Sequence, residues 1–238
     1  VFDSTAISAT QRFANRIQAG LFPPQKQWCR LEAGTGIPKE QQPQAQAALD
    51  AYTERMFEVM RQTNFDLAMG EFLLDLCVGT AVMMVTPGDE ATPIRFTPIP
   101  QYLVSIEEGT FGNVDNVYRK LRMKAEAIPQ EFPDAEMTPE LVDAISRSPS
   151  KEIDLMDAVI YDYERAIYCY HVIWPGKRQD LVYRTMKSSP FIVARYMKVA
   201  GEIYGRGPLV TAIADIKTLN KTVELVLKNA SLSISGVY

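Results

Sequence analysis

Three features of the residue order predict an α+β fold. Apolar residues recur at helical spacing over the first third of the chain, strand-like runs fill the middle, and a long stretch without a helix breaker lies near the end. The first helix is expected to start at Asp3-Ser4-Thr5, which offers an N-cap, and to bury Ile7, Phe13, Ala14, Ile17 and Leu21 before Phe22-Pro23-Pro24 stops it. Trp28 to Leu31 reads as a short extended piece, and residues 34–44, rich in Gly, Pro and Gln, as a loop. A second helix is predicted from about Gln44 to Gln62, with Leu49, Tyr52, Met56, Val59 and Met60 inward. A third runs from about Phe65 to Val78, with Leu67, Met69, Phe72, Leu73, Leu76 and Cys77 inward, and Gly79 ends it.

Strand patterns follow. Ala81–Val85 is a buried run, and Ile94–Ile99 carries Pro98, which marks an edge strand. Tyr102–Ile106 and Val117–Met123 come next, the latter with Tyr118, Lys120 and Arg122 on its polar side. Residues 125–150 are acidic and Pro-rich, with one short helix at Pro139–Ile145. Ala158–Tyr163, Ala166–Trp174 and Leu181–Met186, separated by turns, complete an antiparallel meander. Tyr161, Tyr163, Tyr168, Tyr170 and Tyr183 lie on it and read as sheet packing, since aromatics are favoured strand residues.

The last element is the most informative. An apolar strand, Phe191 to Val199, leads to the turn Gly205-Arg206-Gly207 and then to Pro208, which suits a first helical turn. The spacing predicts one continuous helix from Pro208 to about Ala230, roughly 33 Å long at ~1.5 Å per residue. Leu209, Ile213, Ile216, Val223, Leu227 and Ala230 form a 4-3 stripe interrupted by Asn220. Lys217, Lys221, Glu224 and Lys228 form a second row beside it. We expect the stripe to be partly exposed in an isolated subunit, because its cover comes from elsewhere.

Composition is that of an ordinary globular chain: 238 residues, 47% hydrophobic and 23% charged, with no apolar run near the ~20 residues of a membrane span. Net charge is −4. From Lys187 onward there are seven Lys/Arg against three Asp/Glu, a balance of +4, so the remainder carries −8. That asymmetry points to a polyanion partner for the C-terminal part, although a solvated helix face is the commoner meaning of such lysines. Cys29, Cys77 and Cys169 are scattered in apolar surroundings and read as reduced core cysteines of an intracellular protein. The chain opens on Val-Phe-Asp inside a helix start and stops at Gly236-Val237-Tyr238 as a strand begins, so both ends are expected to be cut from a longer protein.

No catalytic constellation emerges. His171 is the single histidine and reads as a hydrogen-bonded strand residue; nothing around it has metal-ligand spacing. Gly34-Thr35-Gly36 and Gly205-Arg206-Gly207 are too short for phosphate loops, and Pro175-Gly176-Lys177-Arg178 lacks Walker spacing. The expectation is therefore no enzyme, no cofactor and no metal.

Three ordered segments resemble the portal, or head-to-tail connector, of short-tailed bacteriophages related to T7. They are Phe13-Ala-Asn-Arg-Ile-Gln-Ala-Gly-Leu-Phe-Pro-Pro with Trp28 and Leu31, then Gly79-Thr-Ala-Val-Met-Met-Val with Tyr102-Leu-Val and Phe111-Gly-Asn-Val, and finally Gly201-Glu-Ile-Tyr-Gly-Arg-Gly-Pro with Asp215-Ile-Lys-Thr-Leu-Asn and Ser235-Gly-Val. The resemblance implies a homo-oligomer, a dodecameric ring at the capsid portal vertex of a virion assembled in the host cytoplasm, through which double-stranded DNA is packaged and ejected. It implies partners as well: a terminase motor, major capsid and scaffolding proteins, and a tail adaptor, with no membrane. By position, residues 1–206 look like the wing and 207–230 like the first stem helix, entered through the turn Gly205, Arg206, Gly207 and Pro208. Residues 231–238 look like the start of the clip, and the rest of the clip, the returning stem helix and the crown lie outside this sequence. In that setting Leu209, Ile213, Ile216, Val223 and Leu227 pack against neighbouring subunits, while Lys217, Lys221 and Lys228 face the channel. The alternatives are a sequence-tolerant nucleic-acid-binding module that forms no ring, and an enzyme of unrecognised type.

Overall fold

A computed structural model describes residues 2–24, 26–234 and 236. In chain order the elements are α1 (Thr5–Leu21), α2 (Gln42–Arg61), α3 (Phe65–Val78), β1 (Thr80–Pro87), β2 (Ile94–Ile99), β3 (Val104–Glu108), β4 (Val114–Lys124), α4 (Ile128–Glu131), α5 (Pro139–Arg147), β5 (Glu152–Asp162), β6 (Ile167–Trp174), β7 (Gln179–Met186), β8 (Phe191–Arg195) and α6 (Pro208–Ile234). This is the expected α+β order. The chain forms two compact units: Val1–Pro98 with Ala194–Ala200 and Gly205–Tyr238, and Ile99–Val193 with Gly201–Tyr204.

In the first unit α1 packs on α3, and α3 on β1. The core joins Ala14 of α1, Phe65, Ala68, Met69, Phe72 and Leu73 of α3, Ala81 and Met83 of β1, and Phe96 of β2. At the start of α1 the Asp3-Ser4-Thr5 segment supplies its oxygen from Asp3, whose Oδ1 accepts the Thr5 N–H at 2.9 Å, while the Ser4 side chain makes no capping bond. In α2, Tyr52 points outward at 67% exposure, and Thr53 and Phe57 take the inward positions. The cause is the extended segment after Trp28. Its Leu31 N–H donates to Thr53 Oγ1 at 3.1 Å, its Ala33 N–H to Gln46 Oε1 at 3.0 Å, and Trp28 packs edge-on to Phe57 with centroids 5.5 Å apart. Loop residues thus choose which face of α2 is covered. Leu67 of α3 is likewise exposed, and Ala68, one residue on, fills the core position.

The sheet order β2-β1-β8 puts β2 at an edge, as Pro98 predicted. Asn64 covers part of that edge: its Nδ2 donates to Phe96 O at 2.6 Å and its Oδ1 accepts from Phe96 N at 3.0 Å. A side-chain amide here imitates a neighbouring strand, which shields backbone groups that could pair with another chain.

The second unit is a five-stranded sheet in sequential order, β3-β4-β5-β6-β7, with all neighbours antiparallel. β5 starts at Glu152, six residues before expectation. Glu152-Ile-Asp-Leu alternates, with Ile153 and Leu155 buried and Asp154 ion-paired to Arg122 across the ladder at 2.6 Å. The acidic segment also holds a short α4 that composition did not reveal; Ile128 and Phe132 there are buried. α5 is capped by Thr138, and its Leu141 is fully buried.

The polar heart of this unit is Asp157, whose side chain is 0% exposed. Arg119 of β4 binds it in fork fashion, Nε to Oδ1 at 2.9 Å and Nη2 to Oδ2, and Tyr170 donates to Oδ2 at 3.3 Å. The guanidinium carbon lies 6.0 Å from the centre of the Phe191 ring. Burial pushes the Asp157 carboxyl up and Arg119 pulls it down, with burial the stronger; burial likewise pushes Tyr170 up.

Of the cysteines, Cys77 alone is a core residue; Cys29, in the extended segment between α1 and α2, is exposed, and Cys169 of β6 is half-buried. His171 Nδ1 lies 2.6 Å from Asp180 Oδ2, a hydrogen-bonded strand histidine as expected. The tyrosines divide: Tyr170 is buried, Tyr161 packs on Tyr163 and Tyr168 with centroids 5.0 and 4.9 Å away, and Tyr163 and Tyr183 remain exposed.

Candidate nucleic-acid interface

β8 ends at Arg195, four residues before the expected Val199, because Tyr196 N–H turns to Gly79 O at 2.8 Å. Gly207 N–H donates to Val78 O at 2.9 Å, Arg206 N–H to Met197 O at 2.8 Å, and Gly205 N–H to Thr80 Oγ1 at 2.8 Å. The Gly205-Arg206-Gly207 turn is therefore pressed backbone to backbone against the α3–β1 junction. Glycine is required there by space: a Cβ on Gly205 would lie 2.3 Å from Gly79 O, and one on Gly207 2.2 Å from Cys77 O. This turn aims α6.

α6 is continuous over 27 residues, about 40 Å at 1.5 Å per residue. It runs one turn beyond the expected Ala230; the strand start expected at Gly236-Val237-Tyr238 lies largely outside the described residues. None of its residues is buried. Leu209, Ile216 and Val223 of the predicted stripe are half-buried, whereas Ile213 is 50% and Leu227 53% exposed. The start of the helix packs on α1 and α3, and a groove of about 360 Å³ lies between α1 and α6, lined by Ala9, Phe13, Cys77, Leu209, Ile216 and Leu219. Asn220, the polar residue within the stripe, accepts the Phe2 N–H at 2.7 Å and the Asp3 N–H at 3.3 Å through Oδ1. Cover from α1 and the two residues Phe2 and Asp3 ahead of it thus reaches the middle of α6, and the second half extends past it.

That second half is more apolar than the stripe alone suggested: Leu225, Val226 and Leu232 are exposed on other faces. The sequence showed these residues but not their lack of cover. Each residue of the charged row follows a stripe position by one, about 100° round the helix. Lys221 Nζ lies 3.0 Å from Glu224 Oε2, and Lys228 Nζ pairs with Oε1. Lys217 lies seven residues from Glu224, two turns or about 10.5 Å along the axis, and is not one of its partners. Hydrogen bonds from Lys228 and then Lys221 hold the Glu224 carboxyl below the usual carboxylate range. The arrangement offers ammonium groups in line, backed by apolar surface, which is suited to sequence-blind phosphate contact. Among the described residues no cluster of three or more His, Cys, Asp or Glu could hold a metal, and no helix is long and apolar enough to cross a membrane.

Residues 1–238 match the family model described as bacteriophage head to tail connecting protein, and the chain belongs to that family. It is 23% identical over 242 residues to the "Probable portal protein" of Bordetella phage BPP-1, an alignment that covers 92% of this chain and 41% of that protein. The chain thus spans less than half the length of that relative.

Proposed function

We propose that this chain is the wing and first stem helix of a phage portal subunit, a structural conduit and not an enzyme. Residues 1–206 form the wing-like part, residues 207–230 the stem-like helix and residues 231–238 the start of the clip-like segment, with α6 running on through the first four of these. The observation that carries the reading is α6 itself, 27 residues with no buried side chain and with apolar and basic rows side by side. Copies of Leu209, Ile213, Ile216, Val223 and Leu227 pack between subunits of a ring, dodecameric by its resemblance to known portals. Lys217, Lys221 and Lys228 then repeat around the axis as cationic bands along passing double-stranded DNA. The ring sits in the virion at the capsid vertex after assembly in the host cytoplasm. Its partners are the terminase motor, major capsid and scaffolding proteins, and a tail adaptor.

Two experiments test this. Leu227→Asp is expected to abolish ring-shaped oligomers in electron micrographs and to leave the monomer's circular dichroism unchanged, because Leu227 is half exposed in the single chain. Rings that persist in this variant refute packing through the stripe. The triple change of Lys217, Lys221 and Lys228 to Ala should preserve the fold and reduce the DNA content or retention of assembled particles, with an effect that shrinks as salt rises. Particles that package like the parent at low and high salt make the row a solvated face. DNA binding by a monomer that never forms rings would favour the ring-free binding module instead.

A further inference from the structure

We infer that Glu224 is a built-in counter-ion that limits how firmly the lysine row of α6 holds a phosphate backbone; the inference rests on the reading of α6 as DNA-facing. Glu224 occupies the row that the three lysines define, one turn from Lys221 on one side and from Lys228 on the other. It divides its two oxygens between them, Oε2 to Lys221 and Oε1 to Lys228. The exposures give the geometry: the Glu224 side chain is 16% exposed, against 61% and 63% for the lysines that close over it. The carboxylate lies beneath, and the ammonium groups stay within reach of solvent.

Two consequences follow for a polyanion that meets this row. The four residues carry a net +2, not +3. Each of the two clamped lysines must also share or surrender a hydrogen bond to Glu224 before it can hold a phosphate. Lys217, two turns from Glu224, is outside the clamp. The row therefore attracts DNA over its length and grips it at a fraction of its ammonium groups, which suits a surface past which DNA slides. The sign with pH is fixed by the depressed Glu224 carboxyl: the clamp is fully present above the ordinary carboxylate range and is lost as pH falls below that range, through the depressed value.

The test uses the purified chain and a 30-base-pair random duplex, with affinity measured by fluorescence anisotropy from about 50 to 200 mM KCl. Glu224→Gln keeps the shape of the side chain and removes its charge. If both lysines are released, the slope of log affinity against log salt steepens by about 1.8, from about 0.9 per phosphate contact, which adds about a twelvefold loss across that fourfold salt range. The same substitution in a Lys221→Ala/Lys228→Ala background should change nothing. Asp215→Asn, the same charge change on the same helix away from the row, should leave the slope near the parent's. A Glu224→Gln slope equal to the parent's, while the triple lysine variant flattens it, overturns the clamp and leaves the DNA-facing reading intact. Equal effects of Glu224→Gln and Asp215→Asn also overturn it, because bulk charge then suffices. No response to any lysine variant overturns both. Independently of DNA, the Glu224 carboxyl followed by NMR should titrate below the usual range and move up in the Lys221→Ala/Lys228→Ala variant; an unchanged titration refutes the clamp.

Discussion

Arg119→Ala should lower the unfolding free energy of the meander unit by about 3–5 kcal/mol, the cost of leaving a buried charge without its partner. Asp157 is fully buried, and Arg119 supplies its fork of hydrogen bonds, so truncation leaves the carboxylate with Tyr170 alone. The guanidinium also faces the Phe191 ring, so packing is lost along with charge. Urea titration read by hydrogen exchange of β4, β5 and β6 amides measures the loss strand by strand. Replacing both partners together, Arg119→Met with Asp157→Leu, should cost much less or nothing, since matched apolar groups remove the desolvation penalty as well as the pair. A single Arg119→Ala change that costs under about 1 kcal/mol would mean that water reaches Asp157.

The pH dependence of this variant carries a definite sign. Burial already holds the Asp157 carboxyl above its ordinary value in the folded protein, and loss of Arg119 removes the main opposing influence. A carboxyl raised on folding favours the folded state in acid, and that benefit is lost as pH rises from the unfolded to the folded value. The deficit of Arg119→Ala is therefore expected to be smallest at acid pH and to grow toward neutrality. A deficit that widened on acidification would place the charge elsewhere.

The order of elements was legible because each signal was local. Gly79 ended α3, Pro98 marked an edge, and the spacing of Leu209 to Ala230 declared α6. What could not be read depended on partners distant in sequence. Tyr52 and Phe57 lie on different faces of α2, and periodicity alone could not say which one Trp28 and Leu31 would cover. Arg119 falls on the apolar side of β4, between Val117 and Leu121, and its role depends on Asp157, which is 38 positions away. In the candidate interface the lysine row was visible from spacing, but the division of Glu224 between Lys221 and Lys228 was not. Two lysines lay within one turn of it, on either side, and only side-chain geometry gave each its own carboxylate oxygen. The turn before α6 was visible as punctuation, and its closeness to Gly79 was not.

That closeness makes Gly207→Ala the second large effect. The new Cβ would lie 2.2 Å from Cys77 O and 2.5 Å from Val78 C, and both are backbone atoms that cannot swing aside. Gly207 N–H is also bonded to Val78 O at 2.9 Å, so any shift that relieves the clash breaks this bond. Overpacking of this kind costs about 1–3 kcal/mol, and a lost buried hydrogen bond adds about 1–3. Gly79→Ala should behave alike, because its Cβ would lie 2.0 Å from Gly205 O, at a φ of +152° that side chains rarely adopt. Gly20→Ala is the control: nothing lies within 4 Å, and in the last turn of α1 it should be neutral or stabilise by up to about 1 kcal/mol. Thermal unfolding of the three variants measures the costs, and hydrogen exchange shows where they fall. Protection should drop at Val78, Thr80 and the first turns of α6, because the glycine contact is what fixes the helix to the α3–β1 junction. If Gly207→Ala leaves those amides as protected as in the parent, the turn does not aim α6, and the packing of α1 against the first half of the helix must hold it instead.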